Sequence, residues 1–380
     1  MPIPRRTLLF GLGLAAVLPL ALLYVTPWRE VVTEDLPQQF SDAEFSNLID
    51  EFSETGGYFR SDNFISNETT FQYVIPDLRK KTAPGGVYLG VGPDQNFTYI
   101  AALQPKVAFI TDIRRQNLLE HLMYKAVFEL SNTRAEFLST LFSRPMPGRL
   151  PEGVTPEQLF AAFNAGEPDP ELEEQNLNAV LEQLRDRHRL SLSADDIRGI
   201  EYVYTSFVSA GPEIRYSFPN QYGWRRFPSY SELMLETDER GVNHSYMASE
   251  EHFQAIRRLE VENRIVPIVG DFAGEKALRS IGRYLKEHRA VVTAFYTSNV
   301  EFYLFQSEDW KKFLNNVAYL PVDDKSLFIR AYFNNYGFRF PNQPFGARSV
   351  TLLDSMTGLQ AAFDSGQIRS YFDVIMRSSR

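Results

Sequence analysis

The sequence predicts an α/β protein built on a mostly parallel, doubly wound sheet. Three observations lead there. Apolar runs of strand length alternate with helical stretches. The first of these strands enters a Gly-x-Gly turn, Gly90-Val91-Gly92. The next strand ends at an acid, Asp112, about twenty residues further on.

The N-terminal residues 1–29 stand outside that rhythm. Arg5 and Arg6 precede Thr7–Val25, nineteen residues without a charge. As a helix this segment is roughly 28 Å long, close to the hydrocarbon thickness of a bilayer. Pro19 can kink such a helix without forbidding it. A transmembrane or signal helix is expected. The arginines stay in the cytoplasm and the body crosses. No small-x-small site closes the run, which favours an uncleaved anchor over a removed signal. Pro4-Arg5-Arg6-Thr7-Leu8-Leu9 partly resembles a twin-arginine export signal, with Pro4 where Ser or Thr is usual, and an ordinary basic leader is the favoured reading. The expected place is a membrane-anchored body on the extracytoplasmic side, with an exported soluble form as the alternative.

Residues 30–60 read as a linker with a leading helix, Ser41–Phe52, opened by a Ser41/Glu44 capping box and closed by Gly56 and Gly57. Residues 61–144 form the first half of the sheet domain. A short helix near Val74–Lys80 precedes strand Gly86–Val91, turn Gly92–Asn96 and helix Phe97–Leu103. Strand Lys106–Thr111 and the amphipathic helix Arg114–Leu130 follow.

Residues 145–262 read as an inserted helical and aromatic subdomain. Pro and Gly are dense from Pro145 to Gly153, and Thr155/Gln158 with Pro156 makes a capping box. Helix Pro170–Arg189, strand Ile200–Val208, the aromatic loop Tyr216–Tyr230 and a Ser249-capped helix ending near Asn263 complete it. Residues 263–380 resume the rhythm. Strand Arg264–Val269, helix Glu275–Glu287 and strand Ala290–Tyr296 lead to helix Trp310–Ala318 and the strands Ser326–Ala331 and Ser349–Leu353.

Composition narrows the function. Hydrophobic residues at 44% and charged residues at 23% suit a folded core. The 30 Phe and 19 Tyr imply aromatic clusters inside it or lining a cleft. A net charge of −9 lacks the footprint that nucleic acid demands, so none is expected as a partner. With no cysteine there are no disulfides, thiolate nucleophiles or cysteine metal sites. His244 and His252 miss the i, i+4 spacing of a helical zinc site, and no metal is expected. A Gly-x-Ser-x-Gly elbow is absent, which argues against serine hydrolysis.

The chemistry concentrates at the first turn. Gly90 and Gly92 permit a tight bend and close approach of a ligand, and Asp112 can bind both hydroxyls of a ribose. That is the nucleoside-binding layout of a Rossmann-like sheet. The plainer alternative is a tight turn, with Asp112 capping the following helix. Asp94 stands just after the Gly-x-Gly turn, one residue before the place where a Gly-x-Gly-x-x-Gly dinucleotide fingerprint has its third glycine. A carboxylate there satisfies free N–H groups at the helix start and repels a pyrophosphate. A cationic ligand without phosphate suits it better.

These residues resemble class I S-adenosylmethionine (SAM)-dependent methyltransferases. Gly90-Val91-Gly92 is similar to their first motif, Asp112 to the ribose acid, and Gly270-Asp271-Phe272 to the acidic residue beside adenine. Tyr88 and Asp94 depart from the motif, and no Asn-Pro-Pro-Tyr-like loop follows the fourth strand. A closer resemblance spans most of residues 40–330. Tyr230–Met234, Ile265–Gly274 and Val292–Glu301 look like a bacterial family of methyltransferase-like proteins without an assigned activity. The resemblance implies the fold and SAM as cofactor, seated by Gly90, Gly92, Asp94, Asp112, Asp271 and Phe272. It places Thr293–Glu301 at the catalytic loop, where Tyr296, Asn299 and Glu301 can orient an acceptor and take its proton. Asn299 as a helix cap, and Asp271 with Gly274 as a simple turn, remain the bland alternatives. Tyr216, Phe218, Tyr222, Trp224, Phe227 and Tyr230 are either a lid or packing, and Arg225-Arg226 either an anion site or a solvated pair. Two functions follow: a SAM-dependent or aminopropyl-type transferase, or a non-catalytic envelope module that binds a ligand or partner.

Overall fold

Six strands form one sheet: β1 Val87–Gly90, β2 Val107–Asp112, β3 Ile265–Val269, β4 Val292–Ser298, β5 Leu327–Phe333 and β6 Ser349–Ser355. They are seen in a computed structural model that describes residues 1, 36–148, 150–216, 227–334, 339–341, 343 and 346–379. Their order is β3-β2-β1-β4-β5-β6. All neighbours pair parallel except β6, which runs antiparallel to β5. The protein is therefore α/β with a mostly parallel sheet. Both faces are covered, so the strands are continuous apolar runs and not alternating ones. Strand order reverses between β1 and β4, which opens a crevice at the carboxyl edge there.

Helices surround this sheet. α1 (Asp42–Phe52) begins at the expected Ser41/Glu44 capping box. Its Phe52 meets Phe109 of β2 and Tyr284 of α11 (Ala277–Glu287), at ring separations of 6.0 and 5.7 Å. α2 (Ile75–Lys81) and α3 (Gln95–Leu103) flank β1 in sequence. α4 (Arg115–Leu130) departs from the amphipathic expectation, because Asn117–Phe128 is buried all round. It is enclosed by the sheet, α8 (Ala194–Ala210) and α10 (Glu250–Val261). α5 (Arg134–Phe142), α6 (Pro156–Asn164), α7 (Pro170–Glu182) and α9 (Tyr230–Leu235) build the middle of the chain. α12 (Val300–Gln306), α13 (Trp310–Val317), α14 (Met356–Asp364) and α15 (Tyr371–Arg377) complete the second half.

One expected strand is a helix. Ile200–Val208 lies within α8, started by a Ser193/Asp196 capping box. Its β-branched and aromatic residues suggest a strand, but the buried ones are Ile200, Val203, Tyr204, Phe207 and Val208. That is helical spacing, and burial against α4 and α5 overrides local propensity.

The expected membrane or signal helix, and the loop residues Phe218, Tyr222, Trp224, Arg225 and Arg226, lie outside the described residues. Among the described residues no helix is long and apolar enough to cross a membrane. The described loop aromatics divide. Tyr230 is buried against Phe142 and Phe160, whereas Tyr216 lines the crevice and meets Phe227 edge-on.

Candidate functional site

The crevice at the carboxyl edge is a cleft of about 550 Å³. Its floor begins where β1 ends. The side chain of Asn96 fastens that turn: its amide donates to the carbonyls of Val91, Gly92 and Pro93 at 3.0, 3.1 and 2.7 Å. Its Oδ1 accepts from the Tyr88 hydroxyl at 2.9 Å. A Cβ on Gly90 would lie 1.9 Å from that Oδ1. Gly90 is thus required by Asn96 and does not touch the cleft, a correction to its cofactor role. Gly92 does line the cleft, and its φ of +76° explains the glycine.

Asp112 ends β2 facing the same space, 5% exposed. Arg114 holds it. Asp112 Oδ1 accepts from the Arg114 backbone N–H at 2.9 Å and from Nε at 3.0 Å, and Oδ2 accepts from Nη2 at 2.8 Å. Of about four acceptor positions on a carboxylate, Oδ2 retains one. The capping alternative is realised only through this single N–H. The loop after β3 brings Asp271 and Phe272 to the cleft. The Asp271 backbone N–H donates to Glu54 of the segment after α1 at 2.8 Å, and its carboxylate accepts from the Ala273 N–H at 2.8 Å. Phe272 is wedged against Phe295 and Phe313, 5.0 and 5.6 Å between rings.

The end of β4 supplies the opposite wall. Tyr296, Ser298 and Asn299 line the cleft. Ser298 has a φ of +49°, in the left-handed region that a residue with a side chain rarely adopts, next to a register shift against β5. Asn299 precedes α12 without a side-chain capping bond. Glu301 is not in the cleft. It is 2% exposed and gripped by fully buried Arg330, whose Nε and Nη2 donate to it at 2.7 and 3.1 Å. One residue past the start of α12, it points into the seam with β5, so it cannot act on a ligand.

Asp94 is likewise displaced from its expected role. It opens α3 with no capping bond and is 1% exposed, away from the cleft. Its Oδ2 accepts from the Tyr246 hydroxyl at 3.3 Å, while Oδ1 has no partner among the described residues. Burial pushes its carboxyl up to about 7. Beside it, α4 turns inward Glu120, whose carboxylate has no hydrogen-bond partner among the described residues, and His121. His121 Nε2 donates to the Gly92 carbonyl at 2.8 Å, and burial lowers its pKa to about 4, so it is neutral. His244 bonds Asp238 at 2.9 Å, which gives it a structural task.

A residue absent from the sequence-based expectations completes the cleft. Glu68 reaches it from the segment before α2 and is 1% exposed. Its carboxylate accepts from the hydroxyls of Tyr296, at 2.8 Å, and Ser298, and from Gln95 Nε2 at 2.9 Å. Burial raises its pKa, against the lowering effect of the three donors. No periodicity or motif marks Glu68; only its long-range partners do.

A family model described as "Domain of unknown function (DUF7790)" matches residues 63–145 and 193–369. The chain belongs to this family. The match includes Glu68, Asp112, Asp271 and Tyr296, so the DUF7790 region carries these cleft groups itself. It omits 146–192, which holds α6 and α7. α8 and α10, placed by sequence reading in the insertion, belong to the matched region. A search of curated proteins returned no match.

Proposed function

We propose that the protein is methyltransferase-like: a Rossmann-like domain that binds SAM or a related nucleoside in the cleft. The observation that carries this reading is convergence. Gly92 after β1, Asp112 at the end of β2, and Asp271 and Phe272 after β3 all border one cavity where strand order reverses. The free position on Asp112 Oδ2 would accept a ribose hydroxyl, Phe272 would pack beside the base, and Tyr296 and Asn299 would face an acceptor.

The test is calorimetry of the full-length protein in detergent with SAM. Binding is expected, and Asp112→Asn, which keeps the shape and loses the charge, should weaken it strongly. Absence of heat at millimolar SAM refutes the reading.

A second reading is favoured by the position of Glu301. With that carboxylate outside the cleft, the site loses its expected proton acceptor and suits a membrane-anchored envelope protein that binds a ligand without transforming it. The N-terminal apolar segment would be its tether, with the body beyond the membrane.

A further inference from the structure

Glu68 has no part in the nucleoside reading, yet it lies at the buried end of the cleft. Its three donors are all neutral. Two serve Oε1 and one serves Oε2, so Oε2 keeps an acceptor position open. Among the described residues no lysine, arginine or histidine pairs with it. A carboxylate buried to this extent is costly to ionise without a cation. The described lining of the cleft offers no free cation. Arg114 is the one cation among its described lining residues, and Asp112 occupies it. Asp271 adds negative charge, Asp309 is paired with Lys312 at 2.8 Å, and Tyr58, Phe59 and Tyr303 contribute aromatic rings of the kind that attract cations. The left-handed backbone of Ser298 is a further sign of construction, because it turns that hydroxyl onto Glu68.

We propose that the buried end of the cleft is a subsite for an organic cation, an alkylammonium group, with Glu68 as its counter-ion. The ammonium donates to Oε2, while Tyr296, Ser298 and Gln95 hold the carboxylate in place. The substrate class is thus an amine. The subsite stands on the geometry of the cleft, whether or not a nucleoside occupies the Asp112 end.

The test titrates the full-length protein in detergent with n-butylammonium and, as the neutral isostere, n-butanol. Saturable binding of the ammonium and none of the alcohol is expected. Glu68→Gln preserves volume, and its amide can still accept from Tyr296 and Ser298. It should weaken the ammonium about tenfold or more, the worth of a charge-assisted hydrogen bond. It should do so without lowering the melting temperature, since it removes an uncompensated buried charge. No preference of the wild-type protein for ammonium over alcohol overturns the proposal, and so does equal ammonium binding by Glu68→Gln. SAM is titrated in parallel. Ammonium binding without SAM binding discards the nucleoside reading and retains this subsite, and the reverse outcome discards the subsite alone.

Discussion

Replacing Glu301 by alanine should damage stability and not the cleft. Arg330 is fully buried in β5, and every donor it uses is directed at a fixed partner. Glu301 takes two of its bonds, at 2.7 and 3.1 Å; Asp354 of β6 takes one at 3.0 Å and Ser378 one at 2.8 Å. Arg377 adds a bond to Asp354 at 3.2 Å. The network joins α12, β5, β6 and the end of α15. Removing one member of a buried pair leaves an uncompensated charge, at a cost of about 3–5 kcal/mol. Glu301→Gln keeps an acceptor and should lose less, about 1.5–3 kcal/mol, the value of a hydrogen bond to a charged group. The double change Glu301→Gln with Arg330→Met removes both charges and should recover part of the loss. Urea unfolding followed by circular dichroism reads these differences as shifts in the midpoint at constant slope. A Glu301→Ala protein with an unchanged midpoint and abolished ligand binding would refute the structural assignment and return Glu301 to the site.

Asp94 makes stability depend on pH. Its carboxyl titrates near 7 when folded, against an ordinary 3.8, because burial disfavours the charge. The folded state therefore holds the proton longer than the unfolded chain does. This contribution is complete below the ordinary value and declines as pH rises to the folded value, by roughly 4 kcal/mol at most. Asp94→Asn should flatten that decline in melting temperature, and parallel pH profiles of variant and wild type would contradict it. If the proposed N-terminal anchor holds the body across the membrane, a reporter fused after the C-terminus should be active only on the extracytoplasmic side; activity in the cytoplasm would overturn that orientation.

Much of the framework is legible along the chain because its causes are local. The Ser41/Glu44 and Thr155/Gln158 boxes start their helices because each side chain reaches a backbone N–H three residues away. The strands stand out as apolar runs, since a sheet covered on both faces tolerates little else. Gly92 is readable because a positive φ selects glycine. Ile200–Val208 was illegible as a helix for the opposite reason: its residue types suit a strand, and only packing on α4 selects the helical period. Gly90 combines both. Its place in the turn is visible, but the demand for a bare Cα comes from a side chain six residues on, folded back over it.

By itself the sequence determined the α/β class, the alternation of elements, and the turn and acids that border the crevice, because each depends on neighbours in the chain or on a repeating period. The tertiary structure alone decided which carboxylates face that crevice. Asp94 and Glu301 are turned into the interior, by Tyr246 and Arg330, and Glu68 is brought in to meet Tyr296 across 228 positions of sequence. A side chain's direction is set by what packs around it, and those partners come from distant elements that no local pattern records.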